Sequence, residues 1–237
     1  MPKDTEFYNT ISSRYSADRY PTVAHSYTQF FFKKRLSLII DCIRQLTKET
    51  DKHLSILEIG CADGVVLREI YETFGNRFSS LVGVDISPKM IEAASAKHRD
   101  APLVFKVRDE YYDAKRYDLV IEVGVLNYTD WESDLRFARE HLSQGGHYLC
   151  SLAGTRSLHA LAKGGGEYFK NHLSYREYEE GMRERFTVIR ALPVGFFVPL
   201  IWRFPALAGP IQAVAESIGS RLAPDLAHEK IYLLRNR

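Results

Sequence analysis

The residues best placed to do chemistry lie in one short loop and one acid downstream of it. Ile56-Leu57-Glu58-Ile59-Gly60 reads as the end of a buried strand, and Cys61-Ala62-Asp63-Gly64 turns into a helical pattern that starts near Val65. At such a junction the backbone must come close to a ligand, and glycine has no Cβ to block the approach. The next apolar run ends in Leu81-Val82-Gly83-Val84-Asp85. Asp85 falls about 20 residues after the turn, the spacing at which an acid meets ribose hydroxyls. A carboxylate there accepts from both hydroxyls and repels a 2′-phosphate.

These residues need a scaffold, and the periodicity supplies one. Ser55–Ile59, Ser80–Val84, Leu103–Val107, Tyr117–Val123 and Gly146–Ser151 read as buried strands. Val65–Phe74, Pro88–Lys97 and Glu132–Leu142 read as the helices between them, and Gly145-Gly146 as the turn into the fifth strand. Repeated strand-helix-strand units imply an α/β fold with a parallel, doubly wound sheet. Upstream, Phe32, Leu36, Ile39, Ile40 and Ile43 recur at helical spacing, so 30–48 reads as an amphipathic helix. Downstream, Ser174 and Glu177 have the spacing of a capping box for a helix over Ser174–Arg183. Phe186–Leu192 and Lys230–Leu234 read as two further strands.

Bulk properties narrow the choices. With 237 residues the chain suits one elaborated α/β domain. A net charge of +2 is too small to argue for nucleic acid as a partner. Cys42, Cys61 and Cys150 show neither metal-ligand spacing nor a disulfide framework, which favours a reducing, cytoplasmic setting. The polar stretch from Met1 to Asp18 lacks the apolar core of a secretory signal.

At this point the sequence resembles the class I S-adenosylmethionine-dependent methyltransferases. Leu57–Gly64 is similar to their first motif, and Gly83-Val84-Asp85-Ile86-Ser87 with Pro88–Ala94 to their second. Tyr117–Tyr128 is similar to the fourth strand and its loop, and Leu142–Leu149 to the approach to the fifth. The resemblance implies a Rossmann-like seven-stranded methyltransferase sheet, mostly parallel with one antiparallel edge strand, and helices on both faces. It implies one domain over 1–237, with 1–52 as a helical cap and 193–229 as an apolar insertion between the last two strands.

It also implies S-adenosyl-L-methionine as cofactor and assigns roles. Glu58 and the backbone of Gly60, Cys61, Ala62 and Gly64 face the methionine part. Asp85 holds the ribose, with Ile86 and Met90 near the adenine. Asp109, with Glu110 beside it, approaches the adenine amino group, and Glu122-Val123 passes beneath the methionine moiety. Ala62 stands where the family commonly has glycine, which is tolerable if its φ stays negative. Phe7–Tyr15 resembles the segment that small-molecule methyltransferases fold over the cofactor, so Tyr15 and Arg19 are expected on the cofactor and Tyr8, Asn127 and Tyr128 on the acceptor.

Two rival classes stay open. An NAD-dependent oxidoreductase needs three glycines in G-x-G-x-x-G, whereas this loop has only Gly60 and Gly64. A catalytically silent scaffold of the same fold would have no need of an intact Asp85 and glycine turn. The methyl donor carries its own electrophile, so a base is required only if the acceptor must lose a proton. His25, His159 and His172 are the options, and His172 is preferred because it precedes the helix expected to cover the site. No residue set suggests a metal.

The acceptor is expected to be a small-molecule, lipophilic or lipid-linked glycan compound bearing a hydroxyl or amine. Ala191–Ala215 carries Arg203 as its single charge and four prolines, too many for a spanning helix. Three roles stay open for 193–215 and the insertion around it. They are a lid, a peripheral membrane contact through Phe196, Phe197, Leu200, Ile201 and Trp202, and a homodimer interface or extra core.

Overall fold

The computed structural model describes residues 5–108, 111, 115–155, 157, 159–160, 169–171 and 173–237. Seven strands are β1 (Leu54–Ile59), β2 (Phe78–Asp85), β3 (Leu103–Val107), β4 (Tyr117–Glu122), β5 (Leu142–Ala153), β6 (Phe186–Val194) and β7 (Glu229–Asn236). They form one sheet in the order β3-β2-β1-β4-β5-β7-β6. β1 to β5 pair in parallel, while β7 runs antiparallel to both β5 and β6. The antiparallel β6–β7 pair at the edge matches the sequence expectation. Strand order reverses between β1 and β4, and in such sheets ligands bind outside the carboxyl ends at that point.

The helices are α1 (Thr5–Ile11), α2 (Tyr15–Arg19), α3 (Tyr27–Lys48), α4 (Val65–Phe74), α5 (Pro88–Lys97), α6 (Trp131–Glu140), α7 (Tyr175–Arg185) and α8 (Pro205–Leu222). Because side chains alternate along a strand, the sheet carries two cores. Ile56, Leu81, Leu119, Ile121 and Leu149 pack with the apolar residues of α3 and α4. Leu57, Val82, Val120, Tyr148 and Cys150 pack with Trp131 and Leu135 of α6 and Tyr178 and Met182 of α7.

Three elements depart from the expected boundaries. α3 starts at Tyr27, where the Ser26 side chain accepts from the Gln29 N–H. Its buried stripe is Tyr27, Phe31, Arg35, Ile39 and Ile43, while Phe32 and Leu36 lie on its half-buried flank. β5 starts at Leu142, and Gly145-Gly146 sits inside it, where pairing jumps from Tyr117–Leu142 to Leu119–His147. The proline-rich stretch contains the 18-residue helix α8. Pro205 opens α8, where a missing N–H costs nothing, and Pro210 removes one hydrogen bond early in the helix. Among the described residues no helix is long and apolar enough to cross a membrane.

The capping box of α7 forms as its spacing predicts. Ser174 Oγ accepts from the Glu177 N–H, and Glu177 Oε2 accepts from the Ser174 N–H at 2.6 Å. Ser174→Ala is expected to cost about 1 kcal/mol. In a chain of this size that lowers the melting midpoint by roughly 2–4 °C, measurable by differential scanning calorimetry.

Candidate functional site

The loop after β1 is built on hydrogen bonds to β2. Gly60 and Cys61 both donate their N–H to the Val84 carbonyl, at 2.8 and 3.1 Å. Gly60 has φ +73°, and a Cβ there would lie 2.3 Å from Val125 Cγ2, so only glycine fits. Asp85 ties the turn to the end of β2. Its Oδ2 accepts from the Ala62 N–H and its Oδ1 from the Ser87 N–H, both at 2.9 Å. Burial raises the Asp85 pKa, and the N–H groups of Ser87 and Ala62 and the charge of Arg108 oppose that rise.

The expectation that Ala62 keeps a negative φ is corrected, since its φ is +48°. The turn demands this. Ala62 must present its N–H to Asp85 while Gly64 donates to the Cys61 carbonyl at 2.9 Å. A left-handed alanine costs about 1–2 kcal/mol, which the Asp85 bond helps to offset.

Glu58, just before the turn, is buried, and its Oε2 has no hydrogen-bond partner among the described residues. Burial, with the nearby charges of Asp85 and Asp63, pushes its pKa up to about 8, against the pull of Arg35.

The N-terminal segment is fastened over this loop. The Ser16 N–H and Lys97 Nζ both donate to Asp63 Oδ2, at 3.3 and 3.1 Å. Asn9 Oδ1 accepts from Ser87 Oγ at 2.6 Å. Phe7, Tyr8 and Tyr15 pack against Ile11, Ala62 and Met90. The Arg19 guanidinium lies 4.0 Å from the centre of the Tyr15 ring and donates to the Tyr15 carbonyl at 3.1 Å. Burial raises the Tyr8 and Tyr15 hydroxyls far above their ordinary range.

Beneath this cover lies a cavity of about 290 Å³. One end is walled by Gly60, Ala62, Asp85, Ile86, Tyr8 and Tyr15, the other by Tyr27, Phe31, His159, Phe169, His228 and Glu229. The His159 and His228 rings are 4.5 Å apart, and Tyr27 stacks on His159 at 5.4 Å. The His228 backbone is fixed, its main-chain N–H donating to the Gly195 carbonyl at 2.9 Å. Arg35 meets Glu229 at 3.2 Å with both side chains buried. Burial alone would lower the Arg35 pKa, but Glu229, then Tyr20 and Tyr15, hold it above its usual value.

Most of the expected site residues converge here. Arg19, Val123, Asn127 and Tyr128 are on the wall with those already named. Glu58, Cys61, Gly64, Met90 and Glu122 lie behind it. Met90 is fully buried under α1, and Glu122, on the opposite face of β4, accepts from the Tyr148 hydroxyl at 2.6 Å. Burial, followed by the charge of Asp134, pushes the Glu122 pKa up to about 8. The Asn127 amide is engaged by backbone, donating to the Ala153 carbonyl at 3.1 Å and accepting from the Ala153 N–H at 2.7 Å. Tyr128 packs edge-on against Phe169, and burial pushes its pKa up to about 12. His25 is exposed and away from the wall, whereas His159 is on it. Asp109, Glu110 and His172 lie outside the described residues.

Among the wall residues that escaped the sequence reading are Tyr27, Phe31, Arg35, Phe169, His228 and Glu229. Arg35 left a signal, a charge four residues from both Phe31 and Ile39 on an apolar stripe. His228-Glu229 immediately precedes or opens a strand that proves antiparallel, which brings Glu229 level with Ala153 at the ligand edge.

A buried ion pair is costly to break but less costly to remove whole. Glu229→Leu, which strands Arg35, is therefore expected to lower stability by roughly 3–5 kcal/mol. Adding Arg35→Leu should recover much of that loss, as read from urea midpoints of the single and double variants.

Comparison with known proteins places this geometry in context. Residues 57–148 match the family model described as a methyltransferase domain. The chain is 34% identical over 121 residues to the hybrid PKS-NRPS synthetase apdA of Emericella nidulans, covering 47% of this chain and 3% of that one. It is 33% identical over 114 residues to malonyl-(acyl-carrier protein) O-methyltransferase 1 of Ilyobacter polytropus, covering 46% of this chain and 42% of that one. The matched region thus spans less than half of either relative. Among solved structures, the magnesium protoporphyrin IX methyltransferase of Synechocystis PCC 6803 with bound SAH aligns over 98% of both chains. Its TM-score is 0.67 and its identity 13%, a likeness of fold. Residues 57–148 are thus similar in sequence to a methyltransferase domain, and the chain as a whole shares the fold of a solved S-adenosylmethionine-dependent methyltransferase.

Proposed function

We propose that this protein transfers a methyl group from S-adenosylmethionine to a hydroxyl or amine on a lipophilic acceptor. The observation that carries the reading is the single cavity shared by the glycine loop with Asp85 and by the aromatic, histidine-bearing wall of Tyr27, Phe31, His159 and His228. Residues 1–52 act as the cap of one methyltransferase domain and 193–229 as an insertion into it.

The residues present fit the cofactor. Gly60 leaves a cradle that a Cβ would fill, and Asp85 keeps acceptor capacity beyond its two backbone bonds. Glu58 offers a buried oxygen lacking a partner among the described residues. Asp85 would hold the ribose, Ile86 would pack on the adenine, and Glu58 would answer the positive charge of the methionine part. Tyr8, Tyr15 and Arg19 would close over it. When bound, S-adenosylmethionine supplies an electrophilic methyl group on a sulfonium.

On the acceptor side the wall orients and desolvates. Tyr27, Phe31 and Phe169 exclude water, and the fixed Arg35–Glu229 pair sets the local field. The His159–His228 pair would take the proton that the acceptor heteroatom loses. The name of one relative, malonyl-(acyl-carrier protein) O-methyltransferase 1, supports an oxygen acceptor.

The test is calorimetric titration with S-adenosylmethionine followed by a methyl-transfer screen. The wild type is expected to bind, and Asp85→Ala to lose binding. No saturable binding by the wild type would reject the reading. His159→Gln and His228→Gln are expected to keep cofactor affinity while the weaker variant loses roughly 10²-fold or more in turnover. Unchanged turnover in both would remove the histidines from the mechanism.

The raised Glu58 pKa gives a signed pH dependence. In the free protein Glu58 holds its proton up to about 8, against an ordinary 4.5, so its stabilising contribution is lost as pH rises between those values. A cationic ligand favours the carboxylate, so binding at pH 7 should release up to about one proton. Affinity should rise with pH and level off above about 8. Titrations in buffers of different ionisation enthalpy measure the released proton directly.

A further inference from the structure

Helix α8 is packed inside out. The residues it turns toward the protein are small or polar: Ala208, Gln212 and Glu216 are buried. Glu216 accepts from the Gly195 and Phe196 N–H groups at 3.0 and 2.8 Å, and Gln212 donates to the Phe196 carbonyl. Gly219 lies flat on the Phe196 ring, which a Cβ would meet at 2.3 Å. These contacts fix the helix in rotation. The opposite face carries Phe204, Leu207, Ile211, Val214, Ile218 and Leu222, between 43% and 80% exposed. Leu200, just upstream, is 66% exposed. From Phe204 to Leu222 they recur every three or four residues and make an apolar stripe about 27 Å long, with Pro210 and the alanines beside it.

Charge decides what covers this stripe. Between residues 198 and 224 the exposed charges are Arg203 at one end and Arg221 at the other, and the only acid, Glu216, is buried. In an antiparallel pairing with a second copy, Arg203 of one chain would approach Arg221 of its mate, like charge against like. An anionic lipid surface matches both features, accepting the apolar stripe at the acyl boundary and the two arginines at the headgroups.

We propose that α8 lies in the plane of an anionic phospholipid bilayer, with this face inserted and the cavity held above it. The same chain segment connects face and cavity, since Phe197 packs edge-on against Tyr27 at 4.9 Å and Trp202 packs near Phe30 at 6.0 Å. The earlier expectation that Phe196 and Phe197 insert is replaced. Phe196 is buried under α8 and Phe197 is turned toward Tyr27 and His159. The proposal does not depend on the methyl-transfer reading, because its test reads no activity.

The test is flotation of the full chain with phosphatidylcholine vesicles, with and without phosphatidylglycerol, alongside light scattering for mass. The wild type is expected to float with the phosphatidylglycerol vesicles. Leu207→Glu/Ile218→Glu should reduce the bound fraction roughly tenfold or more, and Arg203→Ala/Arg221→Ala should weaken binding and flatten its salt dependence. These side chains are exposed, and circular dichroism checks that the variants stay folded. Absence of flotation overturns the proposal, as does equal binding to phosphatidylcholine alone or binding that survives the glutamates. A dimer that the glutamates split into monomers assigns the face to a second copy and also overturns it.

Discussion

The contact on which the cavity depends is the buried pair of Arg35 and Glu229. It joins the long helix of the N-terminal region to the first residue of β7, which runs antiparallel to its neighbours. Two charges removed from water are stable only with good geometry and further partners. Arg35 has them, in Glu229, in the Tyr20 hydroxyl, and in the faces of Phe31 and Phe32 at 5.4 and 4.5 Å. The constraint propagates. It sets where α3 crosses the sheet edge, and so where Tyr27 and Phe31 stand. It leaves the Arg35 guanidinium against Gly124, where a Cβ would lie 2.8 Å from Nη1.

A second anchor, Asp85, does for the glycine-loop end of the cavity what the ion pair does for its aromatic end. One carboxylate holds the N–H of Ala62 after β1 and that of Ser87 before α5, so the two loops move as one unit. The N-terminal segment is tied into that unit through Asp63 and Asn9. Cover, glycine loop and second motif are therefore a single hydrogen-bonded assembly, although they come from three stretches of sequence.

What was legible in the sequence is what local chemistry determines. Apolar runs and turn residues located β1 to β4, α4 and α5 within a residue or two. Ser174 and Glu177 announced their capping box, and the spacing from Gly64 to Asp85 placed both at one sheet edge. The features that were not legible are set by distant partners. The left-handed conformation of Ala62 follows from a carboxylate 23 residues away. The burial of Arg35 follows from a strand at the far end of the chain. The outward apolar face of α8 contradicts the usual rule that an amphipathic helix hides its apolar side, because Glu216 and Gln212 bond to backbone that no apolar residue could satisfy. His228 and Glu229 looked like ordinary polar residues before a strand until the direction of that strand was known.

The span of the Arg35–Glu229 contact also bears on how the molecule assembles. The partners are 194 residues apart, so their meeting closes most of the chain into one loop. Contacts of such separation form late, after local strand-helix units have paid their ordering entropy. A folding intermediate containing only β1 to β4 would own the glycine turn and Asp85 but not the floor or the aromatic end of the cavity. Such a species would hold one end of the cavity without the other, and the completed pocket belongs to the fully paired sheet.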